Sequence, residues 1–377
     1  MIKNRRKKVV HVLGGLYCGG TETFVMNMYR ANNLEVMEFV FLVHEKNKAH
    51  YDDEVLSTGG QIHRIPDRTE VGIIRYLLNL VKILVILKPD IIHAHAMFNS
   101  GIIMFASYIV GIKKRVCHAH SSGDQEQNRM RRILFRQIMS LFIKLFSTDF
   151  VACNEKAGRY LFGERIFNKN KVKIIKNGID LNRYLNISDN DVHKLRKELR
   201  LSDSDFVIGM VGRLVEVKNP LFIVSIFERI LEINPNAVII FVGEGPLSNV
   251  IEKNCKEMGV FSHVRLLGNR SDVPILMSIF NVFVLPSIFE GAPIVTIEAQ
   301  AKGLPCIVSD SVPRTIDLNL DLIRYIPLTQ KEEWINAISS KQKRLNNEET
   351  IKKMFNREGY NNYSSYKNLL RIYEVYI

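Results

Sequence analysis

The sequence lacks paired cysteines and long apolar runs. Its five cysteines, at positions 18, 117, 153, 255 and 306, form no CxxC pair, which argues against a cysteine zinc cage and suits free thiols in a reducing compartment. The apolar stretches "YLLNLVKILVIL" and "IMSLFIKLF" are each cut by a lysine and fall short of the roughly 20 residues that span a bilayer. The basic start "MIKNRRKKVVHVLGG" has too short an apolar run for a signal peptide. We therefore expect a cytoplasmic protein.

Two common phosphate-binding signatures are also missing. The glycine-rich stretch "GGLYCGGTETF" is not GxGxxG and lacks the Lys-Ser/Thr of a P-loop, so neither nicotinamide nor ATP binding is indicated. Its glycines nevertheless let the backbone approach a ligand closely. Thr21 is placed to cap a helix whose N–H groups would face a phosphate. A glycine-rich turn that binds nothing is the alternative.

Acidic residues are scarce in the first half of the chain. Residues 1–180 hold 28 Lys and Arg against 16 Asp and Glu, whereas the remainder is nearly neutral, and the net charge is +13. A basic half can bind nucleic acid, an acidic substrate or an anionic membrane. No aromatic-interleaved basic stripe is present, so we predict no nucleic-acid partner.

A chain of 377 residues is longer than one compact core accommodates, so two domains are expected. Short Val/Ile-rich runs alternate with helical patterns, which predicts parallel sheets covered on both faces. The fold class is therefore α/β, with two tandem Rossmann-like doubly wound domains at 1–180 and 181–359. Strands are predicted at 8–13, 36–43, 90–94, 115–119, 149–152 and 172–175, then at 205–214, 237–243, 264–268, 282–287 and 305–310. The boundary is placed in the polar stretch 176–192.

Two basic residues follow the first strand of the second half, in "VGRLVEVKN". Arg213 and Lys218 come after a buried strand, where their charges call for a counter-ion. A diphosphate fits, because Arg offers a fork of donors and Lys a point charge. Solvated surface charges are the alternative reading.

The stretch "FEGAPIVTIEAQAKGLP" predicts a helix with Pro293 at its first position and Gly303 just past its end. Gly291 and Ala292 keep bulk away from the helix start. The N–H groups near Ile294 and Val295 could then hydrogen-bond a phosphate.

Two glutamates flank this phosphate site. Glu290 precedes the helix and could accept hydrogen bonds from sugar hydroxyls, while Glu298 could hold a second diol such as ribose. A ligand with both phosphate and hydroxyl groups, such as a nucleotide sugar, explains carboxylates beside an anion site. The alternatives are an acid stabilised by the helix dipole and a plain surface residue.

Seven stretches resemble family 4 glycosyltransferases and occur in the family's order. They are "GGLYCGGTETFVMNMYR", "HAHSSG", "NGID", "VGRLVEVKN", "VGEGPL", "LLGNRSDVPILM" and "PSIFEGAPIVTIEAQAKGLP". The resemblance spans nearly the whole chain and is greatest to the enzymes of bacterial exopolysaccharide and capsule assembly. It implies the GT-B fold, a retaining mechanism, a donor that is most often a UDP-sugar, and no catalytic metal. No DxD signature stands out.

The resemblance also implies roles for individual residues. Gly20 resembles the loop glycine beside the donor diphosphate. Arg213 and Lys218 resemble the clamp that stabilises charge on the leaving UDP. Glu290 matches the acid at the sugar hydroxyls, and Glu298 the acid at the ribose.

The uracil is expected against "GNRSDV", near Arg270 and Val273. The sugar-contacting residue is expected in "RVCHAHSSG", where alternation places His118 and His120 on one face of a strand. We favour His120, which stands nearer the carboxyl end, and a structural histidine is the alternative.

A second pair of histidines, His93 and His95, lies in "IIHAHAMF". Two pairs could suggest a metal, but histidines from two separate loops are a weak signal. We assign no metal and no cofactor besides the donor substrate. The stretch "SVPRTIDLNLDLIRYIPL" lacks the glycine-rich loop common in the family, so the donor sugar stays open.

A helix predicted at 128–146 carries five basic residues and no acid. Its apolar residues recur at helical spacing, which is typical of a helix lying on an anionic bilayer. A core helix with a solvated basic face is the alternative. The basic first half and the lipid-linked acceptors of the resembling enzymes favour the membrane.

We therefore predict a retaining, metal-independent glycosyltransferase, peripherally bound at the inner face of the plasma membrane. It would move a sugar from a UDP-sugar to a polyprenyl-diphosphate-linked or oligosaccharide acceptor. The alternative is a UDP-sugar epimerase or phosphorylase of the same fold. The aromatic-rich segment 360–377 predicts a helix that crosses back onto the first domain, with Tyr366, Leu369, Leu370 and Tyr373 on one face.

Overall fold

The computed structural model describes residues 6–32, 36–121, 123, 130–340 and 343–375. The chain forms two compact units: an N-terminal unit, Met1–Gly178 with Asn362–Ile377, and a C-terminal unit, Ile179–Asn361. Within the described residues, no helix has the length and apolar character needed to traverse a bilayer.

The N-terminal unit is built on a seven-stranded parallel sheet in the order β3-β2-β1-β4-β5-β6-β7. Its central strands are almost fully buried, as expected for a sheet covered on both faces. The strands are β1 Lys7–Leu13, β2 Met37–Val43, β3 Gln61–Arg64, β4 Ile91–Ala94, β5 Lys114–Ala119, β6 Asp149–Ala152 and β7 Val172–Ile174.

Helices connect these parallel strands. Local sequence sets their ends: the side chain of Asn154 accepts a hydrogen bond from the Ala157 N–H at 2.8 Å and caps one helix. The helices are α1 Gly20–Ala31, α2 Asp52–Ser57, α3 Arg68–Val71, α4 Ile73–Leu87, α5 Ser100–Ile109, α6 Met130–Phe146, α7 Glu155–Phe162 and α8 Glu164–Phe167.

The C-terminal unit repeats the plan with a six-stranded parallel sheet in the order β10-β9-β8-β11-β12-β13. The strands are β8 Phe206–Val211, β9 Ala237–Val242, β10 Val264–Leu266, β11 Val282–Leu285, β12 Cys306–Ser309 and β13 Ile323–Ile326. Alternate residues of β8 enter two different cores: Val207 and Val211 lie in one, Ile208 and Met210 in the other. The sheet therefore has a buried apolar core on each face.

Helices of the C-terminal unit contribute apolar side chains to both cores. Pro220 opens one of them at its first turn, where its missing N–H costs nothing. The helices are α9 Asn182–Leu185, α10 Asp189–Glu198, α11 Pro220–Ile233, α12 Ser248–Glu257, α13 Val273–Ile279, α14 Ile294–Ala301, α15 Lys331–Ser339 and α16 Glu348–Arg357.

The last helix, α17 Asn362–Tyr373, returns to the N-terminal unit and packs on α1. The four apolar residues predicted to share its face are all buried. The Tyr366 hydroxyl donates to Asn32 Oδ1 at 2.6 Å, and the Ser365 hydroxyl donates to the Lys176 carbonyl at 2.9 Å. The prediction of two doubly wound α/β domains with a crossover helix is confirmed.

Two strands were not predicted, β3 "QIHR" and β13 "IRYI". Both lie at sheet edges, where a strand is less enclosed, and polar residues make up three of the four positions of β3 and two of the four of β13. Continuous apolar runs are typical of central strands that are buried on both faces, and edge strands lack them.

Candidate active site

Three loops meet at the carboxyl ends of β8, β9 and β10 in the C-terminal unit. The Gly212 N–H donates to the Val242 carbonyl at 2.9 Å, and the Gly243 N–H donates to the Gly268 carbonyl at 2.7 Å. Gly243 has φ +129, and a Cβ there would stand 2.2 Å from the Gly212 carbonyl oxygen. Glycine is thus required for the loops after β8 and β9 to approach each other.

Lys218 and Glu290 meet at this end of the sheet. Lys218 closes a short 3-10 helix, Glu216–Lys218, and Glu290 lies in the loop between β11 and α14. The Lys218 Nζ donates to Glu290 Oε1 at 2.6 Å, with the side chains 20% and 8% exposed. Both were predicted to bind the donor, and the structure brings them into direct contact.

A serine not singled out in the sequence holds Glu290 in place. The buried Ser287 hydroxyl also donates to Glu290 Oε1, at 2.6 Å. The Ser287 carbonyl in turn accepts hydrogen bonds from the hydroxyls of Ser309, at 2.5 Å, and Ser311, at 2.7 Å. Both bonds to Glu290 reach Oε1, and among the described residues none to Oε2 is found. Oε2 is the atom left to accept a bond from a ligand hydroxyl.

The backbone locks these two loops together. The Ile288 N–H donates to the Val217 carbonyl at 2.8 Å, so the segments that carry Lys218 and Glu290 are fixed relative to each other. Arg213, on the same loop as Lys218, is exposed. Within the described parts of the chain, its guanidinium has no hydrogen bond or ion pair.

Helix α14 follows Glu290 and differs slightly from the sequence prediction. It begins at Ile294 with Pro293 as its N-cap rather than as its first residue, and no side chain caps it. The reason is the extended backbone of Pro293, φ −70° and ψ 99°. Ile294 and Val295 are buried in the first turn. Gly303, with φ +60, ends the helix as predicted.

Glu298 lies on α14 and is half-buried. Val273 opens α13 and packs partly buried against the core. Arg270 is engaged within its own unit: it donates two hydrogen bonds to Asp272, at 2.8 and 2.7 Å, and one to Glu198 at 2.8 Å. The hydrogen bond from Arg270 lowers the pKa of Asp272. Three of the five guanidinium N–H groups of Arg270 are therefore used within its own unit.

In the N-terminal unit, Gly20 is the first residue of α1, and Gly19 is the N-cap. Thr21 lies inside the first turn, and no side chain caps the helix. The loop before it is fixed by Gly14, whose carbonyl accepts hydrogen bonds from the N–H groups of His44 and Glu45 at 3.0 and 2.9 Å.

Five histidines lie on one face of the N-terminal sheet. His118 and His120, whose ring centroids are 4.0 Å apart, share a face as predicted. His120 Nε2 is 2.7 Å from His95 Nδ1, and His95 Nε2 is 3.1 Å from His11 Nδ1. His93 Nδ1 is 2.6 Å from the Tyr373 hydroxyl. The sequence did not connect His11 with this cluster.

Burial keeps these imidazoles neutral. It lowers the pKa of His120 and of His11 to about 3. Burial, followed by repulsion from neighbouring histidines, puts the pKa of His93, His95 and His118 well below the usual value. His118 is fully enclosed, whereas His120 is half-buried. The geometry therefore favours His120 over His118 for contact with a ligand.

Helix α6 covers most of the predicted basic segment 128–146; residues 128 and 129 lie outside the described residues. Met139 and Ile143 are its buried residues. Its exposed face is largely apolar, with Leu134 58% and Leu141 52% exposed. The other exposed apolar residues of α6 are Met130, Ile133, Ile138 and Leu145. Helix α4, which like α6 packs on α5, also exposes apolar residues: Ile73, Ile74, Leu78, Val85 and Ile86. The outer face of α6 thus carries both apolar side chains and the basic Lys144.

Comparison with known proteins agrees with this architecture. A model of Glycosyltransferase Family 4 matches residues 18–183, and a model of glycosyl transferases group 1 matches residues 191–355. The putative glycosyltransferase EpsF of Bacillus subtilis is 32% identical over 99% of this chain and 98% of its own length. An Escherichia coli UDP-Gal:alpha-D-GlcNAc-diphosphoundecaprenol alpha-1,3-galactosyltransferase is 31% identical over 70% of this chain and 68% of its own. The chain belongs to glycosyltransferase family 4.

The fold is shared with a solved structure. The crystal structure of Anabaena HepE in complex with UDP and glucose superposes with a TM-score of 0.76 at 16% identity. The match covers 98% of this chain and all of HepE. The two α/β units are thus those of the GT-B fold.

Proposed function

We propose that this protein is a retaining glycosyltransferase that moves a sugar from a UDP-sugar to a polyprenyl-diphosphate-linked glycan in exopolysaccharide or capsule synthesis. The observation that carries the proposal is the contact between Lys218 and Glu290. In a nucleotide sugar, the diphosphate and the sugar ring join at the anomeric carbon. A cation and a carboxylate 2.6 Å apart suit these two adjoining parts of one ligand.

Each residue of this site has its own role in the proposed reaction. Lys218 and Arg213 bind the diphosphate and stabilise the negative charge that grows on UDP as the bond to the anomeric carbon breaks. Glu290 accepts hydrogen bonds from sugar hydroxyls through Oε2. The first-turn N–H groups of α14, at Ile294 and Val295, add donors for phosphate.

The rest of the donor contacts follow the resemblance. Glu298 binds the ribose, Arg270 and Val273 flank the uracil, and Gly20 keeps the glycine-rich loop open beside the diphosphate. His120, neutral because of its burial, contacts the sugar. Because two cationic side chains neutralise the diphosphate, no divalent ion is needed there.

The proposed classes of donor and acceptor are inferred from proteins that this chain resembles. HepE was solved with UDP and glucose, and the Escherichia coli relative is named for a UDP-galactose donor and a diphosphoundecaprenol-linked acceptor. We infer the same classes here: a UDP-sugar, and a glycan on a lipid diphosphate.

A lipid-linked acceptor requires access to a membrane surface. The exposed apolar side chains of α6, with basic residues such as Lys144 between them, suit a helix lying at an anionic interface. We propose that this surface holds the enzyme at the inner face of the plasma membrane.

A donor screen tests the proposed activity. The full chain is incubated with radiolabelled UDP-sugars, with and without lipid-linked acceptors, and the products are separated. We expect release of UDP from one donor and label in the lipid-linked product. Conversion of the UDP-sugar into an epimer without transfer would instead establish the epimerase.

A further inference from the structure

Three buried histidines on adjacent strands have the geometry of a metal site. His11 on β1 is the register partner of His93 on β4, and His95, two residues on, points to the same face. Their ring nitrogens offer one ligand atom each within 4.8 Å of one another. All three side chains are buried.

One of the three nitrogen–nitrogen distances is close to what zinc requires. Two imidazole nitrogens bound at about 2.0–2.1 Å to a tetrahedral Zn²⁺ lie roughly 3.3–3.4 Å apart. His11 Nδ1 and His95 Nε2 are 3.1 Å apart. We propose that His11, His93 and His95 bind one zinc-class divalent ion inside the N-terminal unit.

In His93 and His95 the other ring nitrogen has the outer contact that is typical of metal-binding histidines, whereas His11 Nε2 is buried with no hydrogen-bond partner among the described residues. His93 Nδ1 is 2.6 Å from the Tyr373 hydroxyl, and His95 Nδ1 is 2.7 Å from His120 Nε2. Such hydrogen bonds fix the tautomer and turn Nε2 toward the ion. His93 Nε2 is buried and, among the described residues, has no hydrogen-bond partner. A bound ion would satisfy it.

The chemistry of the three side chains limits which ions fit. Imidazole ligands suit Zn²⁺, Cu²⁺ and Ni²⁺.

A second trio, His95, His118 and His120, is a poorer site. The 2.7 Å between His95 Nδ1 and His120 Nε2 is too short for two nitrogens on one ion, whereas the 3.1 Å between His11 Nδ1 and His95 Nε2 is nearer the roughly 3.3–3.4 Å that a tetrahedral ion sets. Choosing His11, His93 and His95 leaves the contact between His95 and His120 intact and His120 available to a ligand.

The site would join β1 to β4 and, through the His93–Tyr373 contact, α17. Because the histidines supply three ligands, a water would complete the tetrahedron. The site shares no residue with the proposed diphosphate clamp, so it can exist whether or not the proposed function is right.

The test uses the untagged full chain, purified from zinc-supplemented cells and washed with EDTA. Elemental analysis should find about one zinc per chain. Unfolding and refolding in chelator should remove the ion, and adding Zn²⁺ should then raise Tm by ~5 °C or more. Refolding with Co²⁺ should produce the absorption of tetrahedral cobalt.

A matched pair of variants locates the ion. His93→Gln should retain no zinc. His44→Gln should retain it, because His44 lies outside the cluster, where its Nε2 is 2.7 Å from the Tyr76 hydroxyl. Equal zinc in both variants would overturn the proposal, since the ion would then lie elsewhere. If His93→Gln does not fold, the wild-type measurements decide. A chain that holds no zinc and gains neither Tm nor a cobalt spectrum on refolding would also overturn it.

Discussion

The ammonium of Lys218 lies 2.6 Å from Oε1 of Glu290, and the carboxylate is 8% exposed. Two residues 72 positions apart meet because β8 and β11 are neighbours in the sheet, so the loops that follow them end at one edge. Ser287 shares the same carboxylate oxygen. The pair is therefore fixed before any ligand arrives.

Removing either member should nearly abolish transfer. Lys218→Ala and Glu290→Ala each lose a contact worth about 3 kcal/mol at the transition state, or roughly 10²-fold in kcat. Steady-state rates give the loss, and circular dichroism checks the fold. The control is Lys256→Ala, which breaks an ion pair with Glu252 of the same 2.6 Å length on exposed α12. Wild-type turnover in either site variant would refute the assignment.

Catalysis should not depend on a divalent ion in the assay. In the proposed site Arg213 and Lys218 would supply the positive charge at the diphosphate, so initial rates in EDTA should stay within about twofold of those in Mg²⁺ or Mn²⁺. Zinc content is measured in parallel, because an ion enclosed by buried histidines should survive a brief EDTA treatment. The metal-independent mechanism would be contradicted if the initial rate fell in EDTA while the zinc content of the protein stayed constant, and Mg²⁺ then restored the rate.

The apolar face of α6 should bind anionic membranes. In Leu134→Gln/Leu141→Gln, two exposed side chains lose roughly 1.5 kcal/mol each of burial in lipid, so affinity for vesicles with anionic lipid should fall at least ~10-fold. Vesicle co-sedimentation measures this. Val250→Gln, at an exposed apolar position on α12, is the control. Unchanged binding by the double variant would remove α6 from the membrane-facing surface.

The stability of the N-terminal unit should depend on α17. Leu369 is fully buried, so Leu369→Ala should lower the free energy of unfolding by about 2–5 kcal/mol. Denaturant titration measures the loss, and Lys367→Ala, exposed on the same helix, should change it little. Deletion from Asn362 onward should abolish transfer as well. A deleted chain with full activity and an unchanged melting profile would mean that α17 is dispensable.

Sequence patterns predicted the central strands and α17 well, because buried parallel strands and amphipathic helices have strong apolar periodicity. The edge strand β3 was missed, since three of the four residues of its sequence "QIHR" are polar. Ser287 was missed for a different reason: a serine after a strand gives no signal until the fold shows its bond to Glu290. His11 lies 84 positions from His95, and only the pairing of β1 with β4 brings them together.

The central claim is transfer with retention, and the configuration of the product tests it most directly. The full chain is given the UDP-sugar that it uses and a polyprenyl-diphosphate-linked acceptor, and the anomeric proton coupling of the new linkage is read by NMR. The account predicts a glycosidic bond with the same anomeric configuration as the donor. A product of inverted configuration, or a UDP-sugar changed without any glycosidic bond formed, would contradict it.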